Sequence, residues 1–477
     1  MSYLRGPARS ELQLLPPCVD DYVGLNAPVR FIDAYVEGLD FNALGFTHAH
    51  TAQTGRPPYH PADLLKLYLY GYLHRIRSSR RLEAEAARNL EVVWLLRQVR
   101  PDFKTIADFR KDNRAAFKGL FKQFNLLCRG LGLFGAELVA IDGSKFKALN
   151  NSRRHYAQEQ LTELLQQVEA RIEQYLSELD GQDGQAEGVA GAPTAEELAE
   201  KIAQLSQRKG RYEELLGQLE RNGQTEVSLS DADSRKMKGP SGHLMAYNVQ
   251  VAVDAKHHLI AAQEVVQAAN DLGQLSDLAL AAKEELQVDK LQAVADVGYH
   301  QADQLEACEK AGIETFVPER DGTSGRGKDG REIFPKEQFR YDAQADSYTC
   351  PSGQTLPRRS INRSRGTEWI DYHNRAACAV CPLKSQCTTG PYRVIARRHN
   401  QEVVERAALR VAARPDLVAR RKEIVEHVFG SLRNWGHDRF LLRGLEKVRA
   451  EFSLSALVYN LRRVLNLLPI RDLLQAV

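Results

Sequence analysis

Residues 136–150 read "AELVAIDGSKFKALN". Leu138 to Ile141 form a short apolar run of the kind that makes a buried β-strand, and the run ends on Asp142 before opening into small and basic residues. A carboxylate at the end of a buried strand is costly to desolvate, so a protein cation or a bound metal ion must hold it. The same arrangement recurs at "LQAVADVGYH", where a second apolar run ends on Asp296. A third carboxylate stands in "DLVARRKEIVEHVFGSLRNW", which begins at residue 416 and reads as a long basic helix. There Glu426 falls among the apolar positions Val418, Ile424, Val425, Val428 and Leu432, which predicts a side chain turned away from solvent.

Composition bounds the answer. The 477 residues suggest about three structural units at roughly 150 residues each. The chain is 43% hydrophobic and 27% charged, as in ordinary soluble globular proteins, and no apolar run approaches the ~18 residues of a membrane span. The start, "MSYLRGPARSELQLLPP", lacks the basic-then-apolar order of a secretory signal, so a cytoplasmic protein without a membrane partner is expected. The net charge of +3 is uneven: residues 391–463 hold 16 Lys and Arg against 8 Asp and Glu. Such a segment can face a polyanion or simply be a solvated helical surface.

Residues 1–130 read as an all-helical unit. Pro61 starts one helix, Ser79 is the expected cap of a second, and Thr105 with Asp108 resembles the capping box of a third. Short helices carrying Arg75, Arg77, Arg80, Arg81, Arg110, Lys111 and Arg114 suit a compact DNA-binding domain, with Arg80, Arg81 and Arg110 as candidate contacts; a helical dimerisation module fits the same pattern. Over 155–222 apolar residues recur every three or four positions, from Leu161, Leu165 and Val168 through to Leu215 and Leu219, with Thr194 and Glu197 as a capping box. This predicts an antiparallel helical hairpin inserted into the 131–477 unit, its Gly/Ala-rich tip near 181–194 and its role structural or oligomeric. From 238 the period becomes two. A β-hairpin turning at Asp254-Ala255-Lys256, a helix, the strand ending on Asp296 and the strand "IETFVP" make the fold class α/β with a mixed sheet.

Singly, each carboxylate has an ordinary reading: Asp142 can cap the following turn, Asp296 can open the next helix and Glu426 can pair with Arg421. Together they require a cation, and oxygen-only ligands favour Mg²⁺ or Mn²⁺. Two such ions about 3.5–4 Å apart activate an attacking hydroxyl and stabilise a leaving oxygen, which is phosphodiester chemistry. The sequence holds neither a nucleophile elbow nor a phosphate-binding glycine loop.

"VAIDGSKFKALN", "AVADVGYH" and "RRKEIVEHVFGSLRNWGHDRFLLRGLEKV" resemble the three active-site blocks of the DDE transposases of bacterial insertion sequences, and "DFKTIADFRKDN" and "YNLRRVL" are similar to their terminal parts. The resemblance implies an RNase H-like catalytic domain over 131–477 with Asp142, Asp296 and Glu426 holding two Mg²⁺ or Mn²⁺ ions, and Arg421 and Arg433 as DNA contacts. Arg433 stands where the family often has lysine. Lys145 and Ser144 lie close enough to Asp142 in sequence to reach a phosphate, and Asn270-Asp271 matches a polar pair of the family, otherwise a helix cap. Trp435 is read as core or as a stacking platform for an unpaired base. The partners implied are double-stranded DNA, both element terminal inverted repeats and target, and a second copy of the chain on that DNA. The competing functions are an inert DNA-binding derivative and a metal-dependent nuclease that never joins strands.

The segment 319–400 is expected to be a cysteine-rich insertion. Cys350, Cys378, Cys381 and Cys387 supply four thiolates for a structural Zn²⁺, against unliganded thiols, while Cys18, Cys128 and Cys308 are expected in the core.

Overall fold

The computed structural model describes residues 18–49, 58–150, 155–182, 194–223, 225–228, 230–239, 242–319, 326, 329–364 and 367–477. The N-terminal segment read for a signal, most of the hairpin tip and much of the Gly-rich passage after 319 lie outside these residues. No helix among the described residues is long and apolar enough to cross a membrane.

Six helices come first: α1 (Pro28–Glu37), α2 (Pro61–Leu73), α3 (Ser79–Arg88), α4 (Leu90–Leu95), α5 (Phe103–Asp112) and α6 (Arg114–Gly130). Pro61 sits in the first turn of α2, as its fixed φ allows. Two caps differ from expectation. The residue preceding α3 is Ser78, with no side-chain cap bond, and α5 is capped by Asp102, whose carboxylate accepts the N–H groups of Lys104 and Thr105, both at 3.0 Å. Asp102 gains because its charge also faces the positive helix end.

The chain then enters β1 (Leu138–Lys147) and β2 (His155–Ala157), forms a helical pair α7 (Gln158–Gln182) and α8 (Ala195–Asn222), and returns through β3 (Glu226–Ser228), which pairs with β2. Thr194 and Glu197 make the expected capping box on α8. Leu161, Leu215, Leu219 and Val227 form a small core at the base of the pair. Next come β4 (Arg235–Gly239), β5 (Gly242–Asp254), β6 (Ile260–Val266), α9 (Leu275–Leu286), β7 (Leu291–Val294), α10 (Ala302–Lys310) and β8 (Ile313–Phe316). β5 is antiparallel to β1 and β6, while β7 and β8 run parallel to β1, giving the order β6-β5-β1-β7-β8 with β4 beside the first half of β5. The parallel connections pass through α9 and α10, as crossovers must.

A second sheet follows, within the segment expected to be a cysteine-rich insertion: β9 (Arg340–Asp342), β10 (Ser347–Thr349), β11 (Thr355–Ser364), β12 (Thr367–Tyr372) and, after α11 (Arg375–Ala379) and α12 (Lys384–Cys387), β13 (Ile395–Arg398). It has its own core of Phe339, Tyr348, Leu356, Tyr372 and Ile395. The chain closes with α13 (Gln401–Ala413), α14 (Pro415–Asn434), α15 (Leu445–Leu467) and α16 (Ile470–Gln475).

The N-terminal helices and the larger sheet share one hydrophobic cluster, running from Val23 to Leu473. Two polar nodes fasten it. Asn125 of α6 and Asn460 of α15 bond each other at 2.9 Å and both reach the backbone of Ile260, so two buried amides close the free edge of β6. Arg77 is the second node. It pairs with the fully buried Glu451 of α15 and donates to the carbonyls of Gly436 and Arg439, while Glu451 also accepts the N–H groups of Leu441 and Leu442. Arg77 is thus a structural strut rather than part of a DNA-facing surface. Cys128 and Cys308 are buried as expected, whereas Cys18 is exposed at the start of the described chain.

Replacing Arg77 by alanine strands Glu451 as an unpaired buried charge. Equilibrium urea unfolding is expected to show a loss of about 3–5 kcal/mol.

Candidate active site

The parallel register of β1 and β7 pairs Ala140 with Val294. Two residues further on stand Asp142, within β1, and Asp296, just past the end of β7, so the two carboxylates lie side by side where the β1–β7 pairing stops. Each is partly satisfied locally: Asp142 Oδ1 accepts the N–H of Gly143 at 2.8 Å, and Asp296 caps a single 3₁₀ turn by accepting the N–H of Gly298 at 2.8 Å. Burial pushes the Asp142 carboxyl up to about 6, and the charge of Asp296 adds to that, against the opposing pull of Arg421 and the Gly143 N–H. Burial is the first cause of that shift, so a charged Asp142 is costly here unless a cation meets it.

Helix α14 supplies the third carboxylate. It packs on β1, and the loop after it is stitched to the end of that strand: Lys147 N–H donates to Asp438 O at 2.8 Å and Phe440 N–H to Lys147 O at 2.9 Å. Its face toward the sheet is Leu417, Ile424, Val425, Val428, Phe429 and Leu432. Glu426 is not buried as expected. Its side chain is 56% exposed, because it stands at the rim of the helix's apolar stripe, opening into the space above Asp142. Arg421 joins the two: its guanidinium lies 3.2 Å from Asp142 Oδ2 and 4.0 Å from Glu426 Oε1. Arg421 thus bridges Asp142 and Glu426, and the ligand oxygens of Asp142, Asp296 and Glu426 do not all come within 4.8 Å of one another.

A fourth carboxylate completes the corner. Asp271 Oδ1 accepts from Asn248 and Gln250, each at 2.7 Å, and from Lys145 at 3.2 Å. Gln250 in turn accepts from the buried Tyr299 hydroxyl, whose ionisation is held well above its ordinary range by burial and by Asp271, Asp142 and Asp296. Asn248 and Gln250 lie opposite Lys145 and Gly143 in the β1–β5 register. Asp271 does not cap a helix, since α9 begins after Gln274. The sequence signal for this layer was the polar pair at period two inside "YNVQVAV", a pattern that buried apolar strands do not need.

The expected DNA contacts divide. Arg80 and Arg81 are exposed at the start of α3, with Arg80 over the Phe103 ring at 4.2 Å. Arg433 is exposed and bonds the Ser144 hydroxyl, beside Asp142. Lys145 and Arg421 point inward instead, with side chains 15% and 11% exposed, because Asp271 and Asp142 attract them. Arg110 is buried, with its guanidinium 3.3 Å from the Tyr72 hydroxyl and 5.8 Å from the Tyr68 ring centre, and so is not a surface contact. Trp435 packs against His437 and Tyr459.

The four cysteines 350, 378, 381 and 387 are free and half-buried around one small cavity with Phe334, Phe339, Leu356 and Leu383. The Ser352 hydroxyl lies 3.2 Å from Cys350 Sγ and 3.7 Å from Cys381 Sγ, and the Cys387 thiol is pushed up first by burial, with smaller contributions from its three neighbours.

The larger sheet thus carries neighbouring carboxylates beneath a basic helix. A family model described as "Transposase domain (DUF772)" matches residues 17–112, and one described as "Transposase DDE domain" matches residues 349–465, a span that includes Glu426 and the four cysteines. The two matches lie at opposite ends of the chain and support a DDE transposase of an insertion sequence. The DDE domain implies an RNase H-like fold and the use of a divalent metal, typically Mg²⁺. No curated protein and no solved structure matches the chain.

Gly143 is held to glycine by its neighbours. An added Cβ stands 2.3 Å from Gln250 Nε2 and 2.5 Å from Asp271 Oδ1 and must part that hydrogen bond, whereas at Gly430 on α14 it meets nothing within 4 Å. Gly143→Ala is expected to cost about 1–3 kcal/mol in urea unfolding, and Gly430→Ala to stabilise by up to about 1 kcal/mol.

Proposed function

We propose that this transposase binds the terminal inverted repeats of its own element, cleaves the 3′ strand and directs the freed 3′-hydroxyl at target DNA, both steps in the corner between β1, β7 and α14. The observation that carries this is the convergence of Asp142 and Glu426 on the Arg421 guanidinium, with Asp296 beside Asp142 on the neighbouring parallel strand. A group of carboxylates that recruits a side-chain cation to its centre has the donor set and the charge deficit for Mg²⁺ or Mn²⁺. Asp142, Asp296 and Glu426 would hold two such ions, which when bound supply Lewis-acid activation and neutralise charge on the phosphate.

The chain's own groups do the rest. Arg421 is released from Asp142 as that charge is met otherwise, and its guanidinium then offers bidentate bonds to a phosphate. Arg433 and Ser144, at the open side of the corner, orient the DNA backbone. Asp271, braced by Asn248, Gln250 and Lys145, sets the position of the Gly143 turn and keeps Lys145 from neutralising Asp142. End recognition is assigned to the N-terminal unit, residues 1–130, through the exposed Arg80 and Arg81, and chemistry to 131–477; two ends brought together call for two copies of the chain on DNA. The cysteine cavity has the donors for a tetrahedral Zn²⁺, which would brace the second sheet.

Incubating labelled element ends with the protein and Mg²⁺ tests the reading. Strand cleavage followed by joining supports it; cleavage without joining makes the protein a nuclease, and binding without cleavage makes it an inert derivative. Asp142→Ala, Asp296→Ala and Glu426→Ala are each expected to reduce cleavage by at least a thousandfold while end binding in gel shifts changes less than threefold. Metal analysis of protein purified without added zinc is expected to give one Zn²⁺ per chain, lost in Cys378→Ser.

A further inference from the structure

Distant parts of the chain meet where β1 ends. The loop after α14 pairs with Lys147, the last residue of that strand: Lys147 N–H donates to Asp438 O and Phe440 N–H to Lys147 O, which makes Arg439 and Lys147 direct partners in a parallel bridge. On its other side Lys147 is in register with Ala246 of β5, and Ala246 with Arg235 of β4. Partners across a sheet project to the same face, and neighbouring strands lie about 4.8 Å apart, so Arg235, Lys147 and Arg439 form one basic row along the sheet end. The turn between α2 and α3 completes the seam. Its Arg77 donates to the carbonyls of Gly436 and Arg439, which brings Arg75 to the same place.

These charges are not neutralised within the chain. Lys147, Arg439 and Arg75 are exposed, and among the described residues none of them is paired with a carboxylate, whereas the exposed Arg88, Arg97, Arg406 and Arg414 each are. Arg235 is half-buried and donates to the carbonyls of Ala232 and Ser234, which pin its guanidinium without cancelling its charge. Like charges set directly opposite each other destabilise a sheet, so the Lys147–Arg439 pair works against folding until something outside the chain meets it. The row also has a direction. Arg433, six residues before Arg439, bonds the Ser144 hydroxyl beside Asp142, and Arg75 leads into the exposed Arg80 and Arg81 of α3.

We propose that Arg235, Lys147, Arg439 and Arg75 seat the phosphate backbone of a single DNA duplex laid across both parts of the chain, from the exposed arginines of α3 to the catalytic corner. This rests on the reading of DNA as the substrate and adds the contacts between recognition and chemistry. A duplex carries a phosphate charge at every step along its axis, so an extended row of cations is met along its whole length. The N-terminal helices and the larger sheet share one hydrophobic cluster, and Arg77 fastens the α2–α3 turn to Glu451. The seat is therefore preformed, and the duplex binds without a swing of one part against the other.

Fluorescence anisotropy of the full chain in EDTA tests this on two labelled duplexes of equal length, one an element end and one of unrelated sequence. The double variant Lys147→Ala with Arg439→Ala is expected to bind both duplexes at least tenfold more weakly, with a fall of about two in the slope of log affinity against log salt; Arg75→Gln is expected to lower that slope by about one. The charge-keeping pair Lys147→Arg with Arg439→Lys is expected to bind as the parent does, and the urea midpoint of the alanine pair at low salt to stay at or above the parent's, because a repulsion has been removed. Unchanged affinity and slope in the alanine pair and in Arg75→Gln overturn the proposal, as does a loss of binding that the charge-keeping pair shares. No cleavage takes place in EDTA, so a chain that binds in this way yet never cuts overturns the catalytic reading and leaves the seat standing, whereas a parent that binds neither duplex overturns both.

Discussion

Parallel pairing of β7 with β1 sets two carboxylates next to each other where that pairing stops, and the surrounding structure answers that repulsion. Arg421 leans across from α14 to touch Asp142; Gly143 and Gly298 turn their N–H groups onto the carboxylate oxygens; and Asp296 contributes to the raised proton affinity of Asp142. A fold in which β7 ran antiparallel, or slipped by one residue, would separate the charges and remove the need for any of this.

Much of this was readable in the residues. The basic helix, the period-two hairpin and the aspartate that follows β7 are carried by local pattern, whereas Asp142, expected to end its strand, lies in the middle of β1, which continues to Lys147. The depth of Glu426 was misjudged because an apolar stripe defines a face only to within a residue or so at its margins, and Glu426 stands on that margin. Arg77 and Arg110 were misread for a different reason. A guanidinium beside other arginines reads as surface charge, and nothing local announces Glu451, 374 residues away, or the tyrosine rings that receive Arg110. The helix caps illustrate the same limit on a smaller scale: at α5 two polar residues competed, and the one whose charge complements the helix end prevailed.

The second sheet shows a limit of another kind. Three of its five strands have only three or four residues, too few to show a periodicity, and its core depends on tyrosines whose hydroxyls converge on Asp346, at 2.9 Å from Tyr341 and 2.6 Å from Tyr372. A core assembled from amphipathic rings around one carboxylate is written in pairings across the sheet, not in any single stretch. The cysteines alone marked the region, since their chemistry is recognisable without a fold.

The buried amides Asn125 and Asn460, and the strut from Arg77, bind the leading helices to the tail of the chain across the larger sheet. Neither half presents a finished surface to the other; each completes the other's interior. Inheritance of the two parts is therefore coupled: a helical head transplanted from a relative arrives with mismatched sockets.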